Sequence, residues 1–220
     1  MKRALFFAVL TAVVLAGCAQ SKNGTSTAAS SAAASPAAEA TNATGFPLYQ
    51  DTTLVTSKTW HVTQSGKVYS GTEVIAKTPA SLQQLGDWIK GLSQTPPAGY
   101  SVTSSGSSVD AARRRAAEYG VDFQTFTHEQ DGKTHGTLVL AIDPQTFDTH
   151  AGSALSMLDR YSLLPQSMRD AIDAQVRSRT GYSVSDMLNP ETPIGAAVSA
   201  VKQLRDSGER GVVVVDAQRQ

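Results

Sequence analysis

The sequence predicts an α+β domain: a mostly antiparallel sheet of about five or six strands with helices largely on one face. Three observations predict it. Two pairs of β-prone stretches each flank a short turn sequence and read as hairpins. The stretch from Ala151 to Ser207 carries apolar residues at helical spacing. Val212-Val213-Val214-Val215 then runs without alternation, the pattern of a strand covered on both faces and therefore inside the sheet.

The elements follow in order from Phe46. Leu54 to Val62 and Lys67 to Lys77 are rich in Thr, Val, Tyr and Trp on either side of Gln64-Ser65-Gly66. Leu54, Trp60 and Val62 share one parity in the first strand, as do Val68, Val74 and Ala76 in the second. Thr78-Pro79 supplies an N-cap followed by Pro at the first helical position. Leu82, Leu85, Ile89 and Leu92 then recur at helical spacing beside Trp88, until Pro96-Pro97 forbids continuation. Tyr100 to Thr103 reads as a short strand. Beyond it, either Ser107 or Ser108 caps a brief Ala-rich helix with Val109, Ala112, Ala116 and Tyr119 inward, ending at Gly120, or the stretch is irregular.

Val121 to Gln130 and Lys133 to Ile142 flank Asp131-Gly132, a strong hairpin turn signal. A two- or four-residue loop places Val121, Phe123, Leu138, Leu140 and Ile142 on one face and sets His128 opposite His135 on the other; a three-residue loop with a bulge breaks that register. Asp143-Pro144 ends the strand. Helices are expected over Ala151–Leu164 with Leu155, Leu158 and Tyr161 in one stripe, over Ser167–Thr180 with Ile172 and Val176 inside, and over Pro193–Ser207 with Ile194, Ala197, Val201 and Leu204 inside. Ser183 to Leu188 makes one short turn between the last two.

Ahead of the domain, Met1-Lys2-Arg3 is a positive start and Ala4 to Leu15 an almost unbroken apolar run. About a dozen residues suit an export signal and fall short of the roughly 20 that a spanning helix needs. The run ends on Leu15-Ala16-Gly17-Cys18, with the only cysteine of the chain. This segment resembles the lipobox of bacterial lipoproteins. The resemblance implies a signal peptide over residues 1–17, cleaved before Cys18, and a diacylglyceryl group with palmitate-like chains on the Cys18 thiol. Ala19 follows where an Asp would signal inner-membrane retention, which implies an outer-membrane anchor facing the periplasm in a Gram-negative envelope. Phe46-Pro47-Leu48-Tyr49 likewise resembles small uncharacterised envelope lipoproteins with a Pro-x-Tyr opening, and that likeness implies no activity. With Cys18 acylated no disulfide can form, and the fold must stand on its apolar core.

Residues 18–45 are nearly all Ala, Ser, Thr, Gly and Asn. They cannot bury enough apolar area to offset chain entropy and read as a disordered tether spanning on the order of 30 Å. Asn42-Ala43-Thr44 matches a glycosylation acceptor by accident. Residues 46–220 then form a single domain, large enough for one core. Removing Lys2 and Arg3 with the signal leaves 17 of the 19 basic groups against 19 acidic ones. A net charge of −2 offers no bulk attraction to nucleic acid, so the expected partners are the membrane, through the lipid anchor, and an envelope protein.

Catalytic signatures are mostly absent: there is no Gly-x-Ser-x-Gly, phosphate loop, His-Glu-x-x-His or dinucleotide fingerprint. Ala151-Gly152-Ser153-Ala154-Leu155 only approaches a nucleophile elbow and lies where a helix begins, without the preceding strand. Asp143, Asp148 and His150 cluster at a strand-to-helix junction and would need a further metal ligand; loop polarity and capping by Asp148 or Thr149 account for them. Arg113-Arg114-Arg115 is the one dense basic run of the mature chain, a solvated helix face paired with Glu118 or a contact for lipid phosphates. Trp60 and Trp88 read as packing residues. The sequence thus implies no cofactor and no catalytic residue. It predicts a lipid-anchored binding, scaffold or assembly-accessory module, with an envelope hydrolase or metal-dependent enzyme using His150 with Asp143 or Asp148 as the alternative.

Overall fold

The computed structural model describes residues 42–64, 67–103, 107–151, 153–180, 182–190 and 193–219. The expected signal segment, Cys18 and the expected tether up to residue 41 lie outside them. The described chain begins at Asn42, four residues before the expected boundary. Asn42 Oδ1 accepts from the Thr44 N–H at 2.9 Å, and its side-chain amide donates to the Phe46 carbonyl. This local turn sets Phe46 into the core, where it is 1 % exposed.

Thirteen elements follow: β1 (Thr53–Gln64), β2 (Lys67–Thr78), α1 (Leu82–Gln94), β3 (Tyr100–Val102), α2 (Ser107–Ala117), β4 (Val121–Gln130), β5 (Lys133–Ile142), α3 (Pro144–His150), α4 (Ala154–Tyr161), α5 (Gln166–Thr180), α6 (Val184–Leu188), α7 (Pro193–Ser207) and β6 (Arg210–Arg219). The sheet order is β1-β2-β6-β5-β4-β3, and every neighbouring pair is antiparallel. The α+β class stands. The last strand of the chain fills the gap between the two hairpins, which is why its valines are apolar on both sides.

On one face, Trp60, Ile75, Phe123, Leu138, Leu140, Val213 and Val215 pack with Ala116 of α2 and with Ala200 and Leu204 of α7. On the other, Phe126, Val139, Ala141, Val212 and Val214 lie under Leu85 and Ile89 of α1 and under Phe46. Leu158 and Tyr161 of α4 and Val184 of α6 form an outer cluster, with Ile172 and Val176 of α5 and Val198 of α7 packed against it. Helices therefore lie largely on one face, with α1 alone on the other.

Several boundaries differ from expectation. Thr78 is held in the ladder opposite Arg210, so α1 starts later, at a Ser81 cap whose Oγ accepts from Gln84 N–H while Gln84 Oε1 accepts from Ser81 N–H. Asp143-Pro144 starts a helix as well as ending a strand: Asp143 caps α3 and Pro144 occupies its first turn. The shared parity of Leu54 and Trp60 fails because a bulge between Leu54 and Thr56 shifts the register of an edge strand, leaving Leu54 57 % exposed. Val68 is likewise exposed.

Candidate metal centre

The second hairpin has the two-residue-loop register, with His128 opposite His135. Their rings lie 5.0 Å apart on the α1 face, opposite Phe123, Leu138 and Leu140. The pairings extend this contact into a row across all six strands: His61, Ser70, Gln218, His135, His128 and Tyr100 are successive partners. The next row toward α1 runs Thr59, Thr72, Asp216, Thr137, Phe126 and Val102. Asp216 thus arrives diagonally beside both imidazoles.

The side chains close into a network. His135 Nδ1 lies 3.1 Å from Asp216 Oδ2, and His128 Nδ1 lies 3.8 Å from Asp216 Oδ1. Thr137 Oγ1 donates to Asp216 Oδ1 at 3.0 Å and lies 3.3 Å from His128 Nδ1. Tyr100 covers His128 with ring centroids 4.5 Å apart, and Phe46 meets Tyr100 edge-on. Burial, and then the nearby Asp216 charge, push the Tyr100 phenol above its ordinary pKa. The side chains of His128, His135 and Asp216 retain 9 %, 12 % and 10 % of their exposure, so the site is nearly dry and still reachable. Gln218 stands opposite His135, and its Oε1 is buried with no hydrogen-bond partner among the described residues.

Among the described residues, His128, His135 and Asp216 form the one group of His, Cys or acidic side chains with ligand atoms converging, all within 4.8 Å of one another. Two imidazoles and a carboxylate are the donor set of a divalent transition ion. Asp143, Asp148 and His150 do not assemble this way. Asp143 accepts from Gln145 N–H and Thr146 Oγ1, Asp148 accepts from Leu155 N–H, and His150 is exposed with its ring 6.2 Å from Tyr119. Ser153 is exposed in a left-handed conformation between two helices, with no strand ahead of it.

The arginine run divides. Arg113 grips Asp122 with Nε at 2.7 Å and Nη2 at 2.8 Å, while Arg114 and Arg115 are exposed. Trp60 packs in one core, and Trp88 lies edge-on to Tyr49 at 5.7 Å beside the other. Both are packing residues, as expected.

Sequence reasoning missed two buried carboxyls. Asp216 directly follows the valine run, and no reading of the sequence singled it out. Glu73, 4 % exposed, lies on the opposite face beside its cross-strand partner Lys58, and its Oε2 has no hydrogen-bond partner among the described residues. Burial pushes its pKa up from 4.5 to about 7, against the opposing pull of Lys58. No family model matches the chain, and neither does any curated protein or solved structure.

Proposed function

We propose that the chain is a lipid-anchored protein of the cell envelope whose folded domain serves as a binding, scaffold or assembly-accessory module. The observation that carries the reading is Leu15-Ala16-Gly17-Cys18 at the end of an apolar run, with Cys18 the sole cysteine. Among the described residues no helix is long and apolar enough to cross a membrane; on this reading acyl chains on Cys18 supply the attachment. Each buried CH₂ contributes about 0.8 kcal/mol, and two or more chains hold stably where one is marginal. A core complete on both faces of the sheet agrees with a domain that needs no disulfide. Ala19 in place of Asp points to the outer membrane, with the domain in the periplasm.

Cys18→Ala tests the anchor. The variant should leave the membrane fraction or persist as the unprocessed precursor. Wild-type fractionation and migration would overturn the reading. Density-gradient separation tests the address: the wild-type protein is expected with the outer membrane, and recovery with the inner membrane would refute that part.

A further inference from the structure

We propose that His128, His135 and Asp216 bind one divalent transition-metal ion of the zinc class. The inference rests on the folded domain and is independent of the anchor at Cys18. In a tetrahedral site with bonds of 2.0–2.1 Å, neighbouring ligand atoms lie about 3.3 Å apart. The His135 Nδ1–Asp216 Oδ2 separation, 3.1 Å, is close to that edge length, and one ligand atom from each of the three residues lies within 4.8 Å of the other two. Side-chain adjustment from this converged arrangement would close the three on an ion.

The surroundings suit the role. Thr137 Oγ1 donates to Asp216 Oδ1, an outer hydrogen bond that fixes a carboxylate while its other oxygen, Oδ2, faces His135. Tyr100 packs against His128 with its ring tilted 44° to the imidazole, covering one side of it. Three protein donors leave a fourth position for water or an external ligand, the arrangement of open rather than purely structural zinc sites. Gln218 Oε1, buried beside His135 and without a hydrogen-bond partner among the described residues, is an acceptor available to such a water. Imidazole nitrogen with carboxylate oxygen favours Zn²⁺, Ni²⁺ or Cu²⁺ over Ca²⁺ or Mg²⁺, which prefer oxygen-only sets.

The chain's four histidines allow a clean test, because His61 and His150 are exposed and lie outside the cluster. The full chain, made without a histidine tag and stripped with chelator, is titrated with ZnSO₄ by calorimetry and with CoCl₂ by visible absorption. One equivalent should bind, Co²⁺ should show the intense bands of a tetrahedral site, and Zn²⁺ should raise the melting temperature. In the wild-type protein, NMR should show zinc moving the imidazole signals of His128 and His135 and leaving those of His61 and His150. Asp216→Asn and His135→Ala should each weaken binding by at least about tenfold, and His61→Ala should not. The proposal is overturned if Co²⁺ shows no such bands, if zinc moves only the exposed histidines, or if both cluster variants bind as tightly as wild type. The wild-type NMR result decides the matter should the variants not fold.

Discussion

Glu73→Gln should make the protein more stable at neutral pH and leave it almost unchanged at low pH. Glu73 is 4 % exposed, so its pKa shift needs no discount for solvent screening. Its carboxyl rises from 4.5 to about 7 because burial disfavours the charge more than Lys58 favours it. Below pH 4.5 the group is protonated in both folded and unfolded chains and costs nothing. As pH rises, the unfolded chain ionises first, and stability is lost up to about pH 7, beyond which the deficit is constant. At about 1.36 kcal/mol per pKa unit the full deficit is about 3 kcal/mol. For a domain of this size that corresponds to roughly 6–12 °C in melting temperature. The glutamine has nothing to ionise, and the cost of burying its amide is the same at every pH. The assay is urea unfolding of both proteins at pH 4.5 and pH 7.5, read as the difference between them. Carboxyls common to both, such as Asp159 held low by its hydrogen bond to Lys202, cancel in that difference. The variant should gain about 3 kcal/mol relative to wild type between the two conditions. Equal differences at both pH values would show that Glu73 ionises like a surface carboxylate, and the reasoning would fail.

Three further outcomes test the packing. A Cβ on Gly71 would stand 2.3 Å from the Asp216 carbonyl oxygen and 2.7 Å from the Trp60 ring, so Gly71→Ala should cost about 1–3 kcal/mol or more in urea melts; an unchanged midpoint would contradict that contact. Arg113→Ala leaves Asp122, whose side chain is 16 % exposed, without its bidentate partner and should cost about 2–3 kcal/mol, while Arg114→Ala stays within about 0.5 kcal/mol; equal effects would mean the run acts as one solvated face. Deleting Gly211 to Gln220 removes the strand between β2 and β5, whose four valines are 7 % exposed or less. Each contributes roughly 1.5–3 kcal/mol, together comparable with the whole stability of a domain, so the product should be insoluble or degraded. A truncated domain that melts cooperatively near the wild-type temperature would refute the placement.

Much of this fold was legible because its hairpins are local. Counting outward from Asp131-Gly132 as a two-residue turn sets His128 opposite His135; the sequence left a bulged three-residue loop open, and the structure has the two-residue register. The valine run announced a two-sided strand without saying which neighbours it has. Asp216 therefore stayed hidden: its place beside Thr137 depends on β5 pairing with β6, and their hydrogen-bonded side chains lie 79 residues apart. Glu73 escaped for a related reason. Alternation in β2 marks Val74 and Ala76 as inward and so implies that Glu73 faces out. That inference holds only for a sheet with one wet face, whereas here α7 covers the face that α1 does not. The Asp-Pro that starts α3 was legible as a cap and had been read only as a strand stop.

The same topology gives the two halves of the candidate centre unequal standing. His128 and His135 belong to a hairpin that needs only local contacts, and Asp216 joins them when β6 docks between β5 and β2. A hairpin alone offers two donors, too few for a firm site; the docked strand adds the third and also seals both apolar cores with Val212 to Val215. An ion bound by all three would favour the docked strand over the undocked one by its differential affinity for the two states. Zinc should then slow amide exchange most in β6 and in the strands on either side of it, rather than uniformly. If exchange slows only within the β4–β5 hairpin, the ion is held by the two histidines without Asp216, and the coupling to β6 does not exist.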